Sequence, residues 1–256
     1  MYEPLIYTYV LILGVIIGSF LNVCIWRIPR KEGIVIAPSH CVNCGARIKP
    51  YDLIPVLSYI ILLGKCRKCK AKISFQYPAV ELLTGLGFVF LYWFYGLSVT
   101  LIFFLALYAA LVALSFIDAE HRIIPDGIII FLLTAGLLYN IVSFDLSAAI
   151  SSAIGFFAAS VPLYILAMVT NGGMGGGDIK FMAVCGLFLG WERILLAMFA
   201  GAVFACIAVL IGMLFKLREK KRTVVFGPFL SAGVMLSLLY GERIIGMYLK
   251  ILGISS

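Results

Sequence analysis

The chain is predicted to be an all-α polytopic membrane protein with about eight transmembrane helices and one long polar loop between helices 1 and 2. Three observations predict this. Hydrophobic residues make up 63% of the 256 positions and charged residues 12%, with a mean hydropathy of +1.12, far from the composition of a water-soluble domain. Apolar runs recur at lengths near the ~20 residues that cross the hydrocarbon layer. Four of the seven cysteines gather in the single long loop.

In chain order the spans read Leu5 to Ile25, Tyr77 to Tyr95, Val99 to Ile117, Gly127 to Ser143, Leu146 to Val169, Ile179 to Leu189, Ile194 to Phe215 and Pro228 to Leu249. The opening Met1-Tyr2-Glu3-Pro4 has no basic n-region, so the first run is expected to stay as a helix rather than be removed as a signal peptide. The sixth span is too short to cross the layer at 1.5 Å per residue. It therefore either takes in part of the preceding glycine segment, borders thinned, water-filled space, or forms a re-entrant half-helix.

Loop charge sets the expected orientation. The first loop, Arg27 to Gln76, holds ten Lys/Arg, and Lys216 to Arg222 adds five. With eight spans these fall on one face with Arg122 and Lys180, leaving Arg193, Arg243 and Lys250 on the other. Seventeen against three makes the basic face cytoplasmic. The formal net charge of +8 has this topological origin, so no nucleic-acid partner is expected and membrane lipid is. The expected domains are residues 1–26, a first transmembrane helix; 27–76, a cytoplasmic domain; and 77–256, a membrane domain.

A fifty-residue loop buries too little apolar surface to hold itself folded. This one carries Cys41-Val42-Asn43-Cys44 and Cys66-Arg67-Lys68-Cys69, with 21 residues between the pairs. Two CxxC knuckles at that separation offer four thiolates in a tetrahedron, the arrangement of a structural zinc ion. A cytoplasmic location argues against disulfides. His40, beside a full set of four sulfurs, reads as a bystander. Cys24, Cys185 and Cys206 read as small buried hydrophobes.

Two acids stand at the cytoplasmic ends of spans. Asp118 ends the third, in Ser115-Phe116-Ile117-Asp118-Ala119-Glu120-His121. Asp178 opens the sixth, after the glycine-dense Asn171-Gly172-Gly173-Met174-Gly175-Gly176-Gly177. Ionisable groups at such depths face a cavity rather than lipid and mark function. Two carboxylates sharing a site cannot both ionise cheaply, so one keeps a proton the other has lost, which is the division that hydrolysis of an amide by water needs. The plainer reading makes both ordinary helix-end acids, and for Asp178 the helix dipole supports it. Asp126, after Pro125, reads as a helix N-cap. Ser19 and Asn22, three apart, read as interhelical hydrogen-bonders.

Taken together, these segments resemble the bacterial type IV prepilin peptidases, GxGD-type membrane aspartic proteases, many of which are also N-methyltransferases. The resemblance covers nearly the whole chain: Gly14 to Pro29, Pro38 to Pro78 with both CxxC pairs, Asp118 to Asp126, and Gly175 to Lys180 with the GxGD signature. It implies that Asp118 and Asp178 form the catalytic dyad and that Gly175 and Gly177 are the motif glycines. It also implies cleavage of a basic leader from type IV prepilin or pseudopilin precursors at the cytoplasmic face of the bacterial inner membrane. Members without the cysteine-bearing loop are typically peptidases only, so Cys41, Cys44, Cys66 and Cys69 imply methylation of the new N-terminus by S-adenosylmethionine as well. Glu81 and Glu120, among the few acids on the basic face, are candidates to attract the leader. Three other readings stand beside this one: a peptidase alone, with the zinc loop as a substrate dock; a proton- or cation-coupled transporter; and a scaffold that recruits secretion machinery through the zinc loop. Neither the precursor, the S-adenosylmethionine-binding residues nor the oligomeric state is set by the sequence.

Overall fold

A computed structural model describes residues 3–34, 38–143, 145–171, 173–215 and 225–253. Gly172 and the basic run 216–222 lie outside the described residues. Among the described residues, seven helices are long and apolar enough to cross a membrane: α1 (Glu3–Arg27), α3 (Gln76–Tyr95), α4 (Val99–His121), α5 (Asp126–Ser143), α6 (Leu146–Val169), α7 (Gly176–Leu214) and α8 (Gly227–Ile251). A one-turn α2 (Leu57–Ile61) and a 3-10 turn at Pro50–Leu53 lie in the first loop. Their outward faces are apolar, as at Ile16, Phe20, Phe131 and Phe157, which is how a protein meets lipid.

The expected sixth and seventh spans are the two arms of α7. Its 39 residues would reach about 58 Å if straight, twice the hydrocarbon thickness. Gly190, with φ +75° and ψ 177°, breaks it. A side chain is strained at that φ, and a Cβ there would also lie 2.6 Å from Ser151 Oγ. The first arm begins at Gly176, so it does take in part of the glycine segment.

The chain divides into two compact units, residues 1–113 and 114–256, with the boundary inside α4. In the first, α1 and α3 run antiparallel: Gly14 meets Gly85 and Phe88, Gly18 meets Glu81, and Asn22 Nδ2 donates to the Tyr77 carbonyl at 3.0 Å. Gly14 and Gly18 form the small-xxx-small stripe that lets backbones approach where lipid offers no hydrophobic drive. Tyr108 of α4 donates to the Leu83 carbonyl at 2.9 Å.

In the second unit, α6 and α8 flank α7. Gly155 of α6 and Gly186 of α7 cross backbone to backbone, and Gly233 of α8 sits against the carbonyl of Ala197. Leu230 meets Gly201 while Gly241 meets Arg193, so α8 is antiparallel to the second arm. At the crossing with α5, Asn140 Nδ2 donates to the Leu187 carbonyl at 2.8 Å. Cys24 and Cys185 are buried as expected, whereas Cys206 is exposed, on an arm whose outward side is apolar.

These crossings set a stability test. A Cβ added at Gly186 would collide with the Gly155 carbonyl, whereas one at Gly246 meets nothing within 4 Å. Gly186→Ala is expected to cost about 1–3 kcal/mol and to lower the thermal midpoint in detergent. Gly246→Ala should leave the midpoint unchanged or raise it, since alanine is the better helix former.

Candidate active site and metal centre

The second unit brings three helix termini to one place. Asp118 lies in the last turn of α4, which closes through the Arg122 N–H donating to the Asp118 carbonyl at 2.8 Å. Its carboxylate, only 7% exposed, accepts the Gly227 N–H at the start of α8 at 2.9 Å. A carboxylate at a helix C-terminus is unfavourable, and the amino end of a second helix offsets this. Gly227 is required by contact: a Cβ there would lie 2.5 Å from Asp118 Oδ2.

Asp178 sits half-buried in the first turn of α7, where the dipole favours an acid. Gly177, in the same turn, lies against Ile124 just past the end of α4, so Asp178 stands at the end of α4 that carries Asp118. Gly175 leaves room for the Asp178 side chain, because a Cβ there would lie 3.0 Å from Oδ2. At Gly177 a Cβ would come within 2.8 Å of Ile124, so this glycine lets α7 approach the α4–α5 connection. Asp126 is the first helical residue of α5 and is not its N-cap. Its carboxylate pairs instead with Lys180 Nζ at 2.8 Å, tying the starts of α5 and α7 together at the rim.

The four loop cysteines also converge. Their Sγ atoms lie within 4.8 Å of one another, and Cys41 and Cys69 are 3.8 Å apart. Four sulfurs at ~2.3 Å from a tetrahedral zinc stand about 3.8 Å from one another, so the donor set fits a metal ion. Each knuckle is a turn closed by an isolated antiparallel bridge, His40 to Arg47 and Lys65 to Lys72. The Cys41 N–H donates to the Ala46 carbonyl and the Cys66 N–H to that of Ala71. Hydrogen bonds from the backbone of Cys44 and Asn43 pull the Cys41 thiol down. That of Ala71 helps pull Cys69 down to about 6. Against the pull of the Ala46 backbone, desolvation and its neighbouring thiols push Cys44 up to about 11. Without a cation, then, Cys44 does not ionise together with Cys69. His40 turns its Nδ1 to the Pro38 carbonyl at 3.4 Å and is not among the clustered donors.

The remaining sequence candidates separate. Glu120, in the second unit, is exposed and stands 3.9 Å from His121 Nε2. Glu81, in the first, is 7% exposed. Its Oε2 accepts the Val56 N–H at 2.7 Å, and Ser19 bonds the same carboxylate.

Three features escaped the sequence reading. Gly227 carried a signal in Phe226-Gly227-Pro228, a glycine–proline step opening an apolar run. Residues 40–48 (HCVNCGARI) and 65–73 (KCRKCKAKI) form a nine-residue internal repeat, with Gly45 and Lys70 taking the same left-handed conformation at φ +65° and +61°. The third, the buried cation Arg27, is taken up below.

Residues 12–95 match the bacterial peptidase A24 N-terminal domain, and residues 105–211 match the type IV leader peptidase family. The chain is 35% identical to the prepilin leader peptidase/N-methyltransferase of Bacillus subtilis strain 168, over 93% of this chain and 96% of that one. It is 32% identical to the protein of the same name from Pseudomonas aeruginosa PAO1, over 95% and 93%. With that of Legionella pneumophila it shares 30% identity, over 97% and 96%. No solved structure matches significantly. Two family matches in chain order, joined to relatives aligned nearly end to end, place this chain in the type IV leader peptidase family.

Proposed function

We propose that the protein cleaves the basic leader from type IV pilin-like precursors and then methylates the new amino terminus, with Asp118 and Asp178 as the hydrolytic dyad. The observation that carries the peptidase reading is the meeting of these two carboxylates at one end of the second unit, one buried on the α8 amino terminus and the other half-open at the head of α7. The pair titrates as a unit. The ionised acid takes a proton from water as its oxygen attacks the scissile carbonyl carbon, and the protonated acid hydrogen-bonds the carbonyl oxygen. Breakdown returns a proton to the leaving nitrogen as the C–N bond breaks. Gly227 orients the buried acid, and Gly175 leaves the other free to turn.

In this reading residues 27–76 are a cytoplasmic zinc domain and residues 77–256 the membrane peptidase, acting at the cytoplasmic face of the bacterial inner membrane, where loop charge places the acids. Cys41, Cys44, Cys66 and Cys69 hold zinc as a closed structural site. Its chemistry is to keep four thiolates together and fix the two knuckles. S-adenosylmethionine, when bound, supplies the methyl group. Exposed Glu120 is placed to attract the basic leader. Glu81, buried and committed to Val56 and Ser19, is poorly suited to that role, and we assign it another below.

Four outcomes test the proposal. Asp118→Asn and Asp178→Asn should each reduce precursor cleavage in detergent by ~10²-fold or more, read by N-terminal sequencing and product mass. A transporter predicts no cleavage by the wild type in detergent, where transport is impossible. Gly227→Ala, which crowds Asp118, should lower kcat with little change in KM. The purified protein should contain zinc at about one per chain, and Cys41→Ser should lose it. After chelation at pH 7, Cys69 is expected to be alkylated ahead of Cys44, because a thiol lowered to about 6 stays ionised above that pH and one raised to about 11 does not. The rate should fall as the pH drops through 6.

A further inference from the structure

The first unit holds a cavity of about 830 Å³ between the cysteine loop, with Cys41 and Cys66 of the cluster in its wall, and the facing ends of α1 and α3. That is within the ~300–1,000 Å³ of ordinary small-ligand sites. Its walls include Asn22, Trp26 and Arg27 of α1, Tyr59 of α2, and Tyr77 and Glu81 of α3.

Two of these are buried charges of opposite sign that do not pair with each other. Arg27 is 4% exposed. Its guanidinium donates to the carbonyls of Gly33, Ile34 and Pro38 at 3.1, 3.3 and 3.2 Å. Among the described residues no carboxylate lies within ion-pairing distance of it. Glu81 is 7% exposed and likewise has no cationic partner among the described residues. Buried charges are costly unless paired, and neutral partners alone leave both charges uncompensated. Together they describe a ligand with an anionic group, a cationic group and a flat apolar body for the aromatic walls.

Resting on the methyltransferase reading above, we infer that this cavity is the S-adenosylmethionine site, with Arg27 holding the ligand's carboxylate and Glu81 its cationic side. The ligand has one carboxylate, an ammonium and a sulfonium, and an adenine that stacks on aromatic rings. Arg47, Lys49, Lys68 and Lys72 also line the cavity but are exposed; Arg27 and Glu81 are its buried groups without an ionic partner, and that pair matches the ligand's charge pattern. The location gives the Glu81 bond to Val56 a role and, on the methyltransferase reading, ties the cysteine loop to methylation, because that loop forms one wall of the cavity.

The test measures binding, not turnover. Full-length protein in detergent is dialysed to equilibrium against radiolabelled S-adenosylmethionine, with zinc content and thermal midpoint as checks of fold. Glu81→Gln and Arg27→Lys should each raise Kd at least about tenfold, and unchanged affinity in both overturns the site. If Arg27→Lys loses zinc, photo-crosslinking of the wild type with an azido-adenine analogue decides. Label in residues 19–27 or 39–81 supports the site, and label only elsewhere overturns it. A zwitterionic phospholipid that co-purifies with the wild type but not with the variants, with S-adenosylmethionine affinity unchanged, overturns it in favour of a lipid headgroup. A wild type that neither binds S-adenosylmethionine nor methylates a processed precursor removes the methyltransferase reading itself. A binding wild type with unaffected variants removes only the location.

Discussion

Two carboxylates can stand together at the edge of a membrane only if other dipoles hold them there, and the second unit is arranged to meet that constraint. An acid in the last turn of α4 faces the negative end of its own helix. Its compensation is the Gly227 N–H and the positive end of α8 behind it. The glycine contacts follow from the same requirement. Gly227 is small because Asp118 lies against it, Gly175 because Asp178 does, and Gly177 because Ile124 does. The kink at Gly190 serves it too, since an unbroken α7 would carry its second arm away from the end where α8 begins. The close crossings at Gly155–Gly186 and Gly201–Leu230 then hold both arms of α7 in place.

The cysteine loop meets a different constraint. It has no hydrophobic core of its own: its turns are short, and Tyr51, Leu53, Leu57 and Ile60 are exposed. Order comes from local pairings instead. Asp52 makes a two-pronged bond with Arg67, which holds its carboxyl below the usual carboxylate range. The two bridged knuckles bring four sulfurs together, and Glu81 reaches from α3 to fix Val56 in a left-handed turn at φ +61°. Each of these fastens the loop at a point, whereas a packed core would do so over an area, and a metal ion is the strongest such fastening available to four thiols.

Much of this was legible in the residues. Hydropathy gave the spans to within a few positions, because lipid exposure leaves each one as an unbroken apolar run. The CxxC spacing gave the sulfur cluster, because two short turns fix the ligand geometry locally. Asp118 and Asp178 stood out because acids are rare at that depth. What was not legible depends on tertiary contact. Asp126 looked like a cap, since nothing in the sequence places Lys180 opposite it. Glu81 looked like a surface acid, because its burial comes from the loop folding over α3. Arg27 was counted as a topological charge, although its burial and its three carbonyl partners set it apart from the other basic residues of the loop.

The last point bears on how charge is read in membrane proteins. Positive residues on a cytoplasmic face are expected on topological grounds, and that expectation conceals any member of the set with a second role. What distinguishes such a residue is desolvation without a counter-ion. Lys180 and Arg67 each have a carboxylate within 3 Å, and the others among the described residues of that face are exposed. Arg27 is neither. The same criterion separates Glu81 from Glu120, since only Glu81 is removed from water. Charges that a fold buries and leaves uncompensated are those whose partner is to be sought outside the chain, and here they point into one cavity.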